Sequence, residues 1–303
     1  MSGGQRVTSR SRLGFIGLGH LGSRIARRLA AAGFPMAAYD RDPDKTKELA
    51  ALGAAVAPSV GDLAGDTDVV LSCVSNDAAV EAVYLGAGGL LEFARPGTRI
   101  VELSTIAPET SQRVHDAAGK LGVSMLDVAV SGSTLAAEAG ALTLFGGGER
   151  EVFEAVEPIF EPIASQWFYM GPSGSGVAMK LVVNTLLGLG MQAIAEAAAL
   201  GSALGLPRDA LLDTLAKTAV VAPAHAGKLA TAKRDDYASQ FPIRLMHKDF
   251  GLILTAAAQR GLSMPATEAA AAANAAEAAA GVEEDFSAVI RRMEKQVAAA
   301  HTR

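Results

Sequence analysis

The sequence predicts an α/β chain in which an N-terminal doubly wound sheet domain is followed by an all-α domain. Three observations carry this. Up to about Met170, short β-rich runs alternate with helical patterns, as a parallel, doubly wound sheet requires. The first run, Leu13 to Ile16, enters glycines at GxGxxG spacing, Gly17-Leu18-Gly19-His20-Leu21-Gly22, and the helix-forming run Ser23 to Ala32 follows. After Gly171-Pro172-Ser173-Gly174 the strand signal disappears, and alanine- and leucine-rich helical sequence takes over. The 303 residues suffice for two domains, and half of them are hydrophobic, so a sizeable core is available. The expected division is a disordered tail over 1–11, a sheet domain over 12–173 and a helical domain over 174–303.

In the opening unit, Gly17 permits a tight turn, Gly19 lets the backbone approach a pyrophosphate, and Gly22 lets the helix pack on its strand. The helix N-terminus then turns unpaired N–H groups and the positive end of its dipole toward the diphosphate. The second strand reads as Pro35 to Tyr39, with Asp40 at its end, near where an acidic residue meets the adenosine ribose. Strand, glycine turn, helix and acid together describe a Rossmann dinucleotide site. Asp40 would repel a 2′-phosphate and so favours NAD, while Arg41 could pair with that phosphate and keeps NADP open.

Further strands are expected at Asp68 to Ser72, Arg99 to Glu102, Val123 to Asp127, Ala141 to Phe145 and Gln166 to Met170. The helical half opens with a long helix, Val177 to Leu204, and includes an alanine-rich one, Thr267 to Ala280, with Pro265 marking its start. Leu181 to Leu200 has nearly the length of a membrane span, but Asn184, Gln192 and Glu196 interrupt it. A helix buried between protein surfaces is expected instead. Being apolar on nearly every face, it predicts a homodimer or higher homo-oligomer that covers the excess.

The formal charge of −5 argues against a nucleic-acid surface. The single cysteine, Cys73, lies in an apolar run and excludes an internal disulfide framework. The polar, basic N-terminus lacks the apolar core of a secretory signal, so a cytoplasmic protein without nucleic-acid or membrane partners is expected. His20, His115, His225, His247 and His301 are scattered without metal-ligand spacing, and no metal is expected.

Two constellations offer chemistry. Lys180 and Asn184 stand four residues apart on the long helix and share a face, among Val177, Ala178, Leu181 and Val183. A lysine there either snorkels to solvent or is buried. Burial lowers its pKa toward neutrality, as acid–base catalysis needs. In the second, Asp127-Val128-Ala129-Val130-Ser131-Gly132-Ser133, a strand ends in small residues at the edge where open α/β sheets bind ligands. Ser131 and the N–H groups after it either hold a carboxylate or close a turn on their own backbone.

The order of the glycine turn, Glu102-Leu103-Ser104-Thr105, Asp127 to Ser133, Gly174-Ser175-Gly176 with Lys180 and Asn184, and His247-Lys248-Asp249 resembles the β-hydroxyacid dehydrogenase family, over about Arg12 to Glu294. This 3-hydroxyisobutyrate dehydrogenase-like group has a helical domain similar to that of 6-phosphogluconate dehydrogenase. The resemblance implies an NAD(P)-dependent oxidoreductase that moves a hydride between nicotinamide and a small hydroxy acid or semialdehyde acid. Lys180 matches the catalytic lysine, and Ser131, Gly132, Ser133 and Asn184 match substrate-binding positions. Gly17 to Gly22, Asp40, Arg41, Val74, Ser75, Thr105 and Lys248 match cofactor-binding positions. Ser133 and Val74-Ser75, with Phe241 to Asp249, look closest to the glyoxylate and succinic semialdehyde reductase branch. Imine reduction, which the same fold supports when the lysine is replaced, and a non-catalytic dinucleotide-binding role are the rival expectations.

Overall fold

The computed structural model describes residues 6–279 and 283–301. The chain divides into two compact units, Met1–Lys180 and Leu181–Arg303. The first is built on an eight-stranded sheet of β1 (Leu13–Ile16), β2 (Met36–Tyr39), β3 (Ala55–Val56), β4 (Val69–Ser72), β5 (Arg99–Glu102), β6 (Ser124–Ser131), β7 (Leu142–Gly147) and β8 (Ala164–Gly171), in the order β3-β2-β1-β4-β5-β6-β7-β8. From β1 the chain winds out to β2 and β3, then crosses back to β4 on the other side of β1. The switch point between β1 and β4 is where such sheets open a ligand crevice at the strand carboxyl ends.

β1 and β4 are buried along their whole length, so both faces of each strand must be apolar. Alternate residues serve opposite cores. Leu13, Phe15, Val69, Leu71 and Val101 pack with Ile25, Leu29 and Phe153, whereas Ile16, Val70 and Ile100 pack with Leu63, Val80 and Val114. The two-residue strand β3 lies at the exposed edge and is too short to show a strand pattern in the sequence.

The expected strands β1, β2, β4, β5 and β6 are parallel, as is the unforeseen β3, but β7 runs antiparallel to β6, and β8 is parallel to β7. The cause is connection length. A parallel crossover needs a dozen or more residues, and the link after Ser131 holds only the short helix Thr134–Ala139. Between β7 and β8 the helix Arg150–Phe160 supplies a full crossover. The expected tail over 1–11 lies partly outside the described residues. Within them it needs correction: Val7 is buried in the sheet core, and its N–H donates to Ala155 O at 2.8 Å. One apolar residue suffices to anchor that segment.

The second unit is helical. It comprises the larger part of Ser175–Ala203, then Arg208–Leu215, Pro223–Lys233, Ile243–Ala258, Pro265–Ala278 and Val289–His301. Leu181, Met191, Ala195, Leu229, Met246, Phe250 and Ile290 form its core. Pro265 begins its helix, where a missing N–H costs nothing; Ala280, the expected end, lies outside the described residues. Asp285, 1% exposed, accepts bonds from Lys228 Nζ (2.6 Å), Gln240 N (3.1 Å) and Phe241 N (3.0 Å). Removing either partner of that ion pair would strand a buried charge at a cost of about 3–5 kcal/mol.

Among the described residues, Ser175–Ala203 is the one helix long and apolar enough to cross a membrane. Its polar residues are engaged within the protein instead: Asn184 is fully buried and bonded, and Gln192 donates to Glu196 at 2.8 Å. It is a core helix of the second unit.

Candidate active site

At the carboxyl end of β1 the chain turns through Gly17 with φ of +91°. A Cβ there would stand 2.3 Å from Cys73 O, and one on Gly22 would stand 2.1 Å from Gly17 O. Both positions exclude any side chain. Gly19 is different: a Cβ on it would meet nothing within 4 Å, so its backbone faces open space. Gly19 is also the N-cap of the helix His20–Ala31, which has no capping side chain and no acid in its first turn. Such an end suits an anion. His20 is exposed, and Leu18 is buried beneath the turn.

Asp40 stands at the end of β2, where Oδ2 accepts Leu18 N–H at 2.7 Å and Oδ1 accepts Asp42 N–H at 2.9 Å. The acid therefore fixes the turn as well as standing beside it. Arg41 is exposed. Sequence reasoning overlooked Lys45, whose Nζ lies 3.6 Å from Asp40 Oδ1; a lysine five residues past the acid was the available signal. Open backbone at Gly19, an uncapped helix end and a placed carboxylate fit the dinucleotide that the glycine spacing predicts.

The loops after β4 and β5 carry Val74, Ser75 and Thr105. Val74 N–H donates to Ser104 Oγ at 2.7 Å, which ties one loop to the other. Ser75 is exposed, and Thr105 is partly buried.

β6 outruns β5 and ends at Ser131, followed by Gly132 with φ of +140°. Ser133 Oγ accepts Ala136 N–H at 3.2 Å as the N-cap of the next helix. Asp127, 1% exposed on the same strand, was legible only as part of a motif. Its Oδ1 accepts Gly174 N–H at 2.8 Å, and Oδ2 accepts Val177 N–H at 2.9 Å. Burial pushes this carboxyl up, and the N–H groups of Gly174, Val177 and Gly176 pull it back. The first turn of Ser175–Ala203 is thus clamped on the sheet. Gly176 permits the approach, since a Cβ there would lie 2.3 Å from Phe145 O and 2.4 Å from Asp127 O. One turn further along stands Lys180, 8% exposed. A lysine this buried is not snorkelling.

In the second unit, Asn184 is fully buried, and its Nδ2 donates to Asp249 Oδ2 at 2.6 Å. Asn184 Oδ1 has no hydrogen-bond partner among the described residues. Lys248 Nζ pairs with Asp249 Oδ1 at 2.9 Å. The role of Asp249 as the partner of Asn184 is a residue function the sequence did not reveal. No group of three or more His, Cys, Asp or Glu among the described residues could hold a metal ion.

Comparison with known proteins agrees with this geometry. Residues 12–171 match the family described as the NAD binding domain of 6-phosphogluconate dehydrogenase. Residues 174–293 match that described as NAD-binding of NADP-dependent 3-hydroxyisobutyrate dehydrogenase. The chain belongs to the β-hydroxyacid dehydrogenase family. The NAD-dependent L-serine dehydrogenase of Pseudomonas aeruginosa is 38% identical, over 84% of this chain and 87% of the relative. Glyoxylate/succinic semialdehyde reductase 1 of Arabidopsis thaliana is 33% identical, over 92% and 96%. The solved structure of Mycobacterium tuberculosis 3-hydroxyisobutyrate dehydrogenase with L-serine superposes with a TM-score of 0.85 at 31% identity, covering 94% of this chain and 99% of that one. This β-hydroxyacid dehydrogenase is accordingly an NAD(P)-dependent oxidoreductase.

Proposed function

We propose that this β-hydroxyacid dehydrogenase oxidises a small hydroxy acid, or reduces the corresponding semialdehyde acid, with Lys180 as its acid–base catalyst. The observation that carries the reading is the burial of Lys180 one turn beyond a helix start that Asp127 fixes. When bound, the dinucleotide supplies the hydride donor or acceptor. Lys180 gives a proton to the carbonyl oxygen in reduction and takes it back in oxidation; its ammonium also stabilises the charge that gathers on that oxygen. Ser131, Gly132 and Ser133 bind the substrate carboxylate through a hydroxyl and backbone N–H groups. Asn184 binds the substrate with the amide oxygen that its bond to Asp249 leaves unused.

Gly17 to Gly22 hold the pyrophosphate, Asp40 and Arg41 meet the adenosine ribose, and Val74, Ser75, Thr105 and Lys248 complete the cofactor site. Asp40 supports a preference for NAD over NADP. The stretch 12–173 serves the cofactor and, through Ser131, Gly132 and Ser133, the substrate carboxylate, and 174–303 serves the substrate and self-association and adds Lys248 to the cofactor site. A homodimer or larger homo-oligomer in the cytoplasm is the proposed working form. Val182, Leu186 and Leu200 support it, being large apolar side chains exposed on the long helix, which association would cover.

The test is Lys180→Met, which keeps the apolar stem and removes the ammonium. Nicotinamide absorbance would be followed against a panel of L-serine, 3-hydroxyisobutyrate, glyoxylate and succinic semialdehyde. On the best substrate kcat should fall about 10²–10⁴-fold, with NADH affinity little changed. A variant of near-normal kcat would remove Lys180 from the chemistry.

A further inference from the structure

Glu102 ends β5 fully buried, and among the described residues its partners are hydroxyls and an N–H rather than a cation. Its Oε1 accepts Ser104 N–H at 2.7 Å, and its Oε2 accepts the hydroxyl of Ser72, the residue opposite it in the β4–β5 register. The Ser72 hydroxyl also meets that of Tyr84. Burial and the neighbouring Glu102 push the Tyr84 phenol well up, so it remains a donor. Burial likewise pushes the Glu102 carboxyl up, opposed by bonds from Ser104, Ser72 and Tyr84.

Burying a carboxyl without a cation is costly, and a packed apolar side chain would fill the volume more cheaply. The position of this group suggests what the cost secures. From Ser104 the chain of bonds continues outward, because Ser104 Oγ accepts Val74 N–H at 2.7 Å. Tyr84 lies on the helix Asp77–Leu85, which follows the Val74 loop directly, and Asp77 Oδ1 accepts Ala107 N–H at 2.9 Å. The loop after β4 and the loop after β5 are therefore fastened to one buried carboxyl from both sides. The fastened loop also forms a wall of the glycine turn: a Cβ on Gly17 would stand 2.3 Å from Cys73 O and 3.0 Å from Val74 Cγ1.

We infer that Glu102 and Ser104 are positioning residues for the cofactor, a buried hub that sets the Val74–Ser75 and Thr105 loops at the height the nicotinamide half requires. This rests on the proposed placement of those two loops. The hub touches neither cofactor nor substrate. It acts through the Val74 N–H and through the backbone that presents Thr105, and a serine whose N–H donates to a buried carboxyl while its hydroxyl accepts the N–H of the next loop links the two bonds into one network. The adenosine half depends on Gly19 and Asp40, which the hub does not hold.

The experiment compares NADH with ADP as ligands of the full chain by calorimetric titration, with thermal melting as the fold check. Ser104→Ala removes the acceptor of Val74 N–H and should raise the Kd for NADH about tenfold, leaving that for ADP within about twofold. Glu102→Gln should give a smaller change of the same pattern, and Ser104→Thr, which retains the hydroxyl, should restore NADH affinity. Parallel loss of both ligands, or NADH affinity within twofold of the parent in Ser104→Ala, would overturn the inference. Ser75→Trp, at an exposed position of the loop, tests the placement on which it rests. If that variant binds NADH normally, the placement fails and takes the hub with it. If it binds NADH poorly while Ser104→Ala is silent, the hub alone fails.

Discussion

Asp127→Asn isolates what one buried carboxyl does for the helix that carries Lys180. In the parent both oxygens are engaged, with Gly174 N–H at 2.8 Å and Val177 N–H at 2.9 Å. Hydrogen bonds to a charged group contribute about 1.5–3 kcal/mol each, so deleting both in Asp127→Ala would cost about 3–6 kcal/mol. Since a protein's whole stability is about 5–15 kcal/mol, alanine risks simple unfolding. Asparagine keeps one acceptor and turns a donor toward the other N–H, and a buried donor left unpaired costs about 1–3 kcal/mol. Removing a buried charge returns part of that, so the lower half of the range is expected. Three measurements read the result: the urea midpoint, hydrogen exchange over residues 174–177, and kcat on the best hydroxy acid. Exchange at Gly174 and Val177 should speed about tenfold, the equivalent of about 1.4 kcal/mol, and kcat should fall with it while NADH affinity holds. An unchanged midpoint with unchanged exchange would show that the helix start is held by its packing alone.

Four shorter expectations accompany it. Burial raises the Glu102 carboxyl from an ordinary value of 4.5, so above that pH the folded protein keeps a proton the unfolded chain has released. The stability this group contributes is then full below 4.5 and lost as pH rises through the folded value. The melting temperature of Glu102→Gln should therefore gain on the parent as pH rises above 4.5 and stop gaining once the folded carboxyl has ionised, and a pH-independent difference would contradict this. Asp40→Ser should move the ratio of kcat/KM toward NADP(H), with Arg41 and Lys45 available to a 2′-phosphate; a parent enzyme already more efficient with NADPH would refute the role given to Asp40. Gly176→Ala should lower the melting temperature and activity together, since its Cβ would stand 2.3 Å from Phe145 O; a fully active, equally stable variant would show the helix start can retreat. Light scattering at low micromolar concentration should report at least a dimer, and an active monomer would remove the assembly proposal.

The sheet unit was legible because its signals are local. A strand buried on both faces is an apolar run, and a glycine turn is a spacing, so β1, β4 and β5 fell within a residue of their expected bounds. Strand direction is not local. Leu142 to Gly147 has the same composition whichever way it runs, and only the length of the preceding link separates the two. Among the site residues, Lys180 drew notice as a charge in an apolar helix. Asp249 stands in the sequence only as part of the motif His247-Lys248-Asp249, because its meaning depends on Asn184, 65 residues away in sequence. Glu102 was read as one letter of a motif, since nothing in a sequence distinguishes a buried carboxyl from a solvated one. The anchoring of Val7 is not legible in the sequence, because a single apolar residue in a polar stretch has no periodicity to announce it.

The reversal of the last two strands bears on how much change this protein can absorb. Asp127 pairs with Gly147, and Gly147 with Gly171, so the chain is carried by two rungs of backbone hydrogen bonds from the strand holding Asp127 to the segment it clamps. The origin of the long helix is thus counted in strand register and not in loop length. Residues may be gained or lost between Ser133 and Ala141, or between Gly148 and Ile163, without moving that origin, provided the two ladders keep their pairing. A slip of one rung would do the opposite, turning Gly147 away from Asp127 and placing a side chain where Gly176 must fit. Variation in this lineage is therefore expected to collect in those two connections, while the two glycine-bearing rungs stay fixed as the datum from which Lys180 is measured.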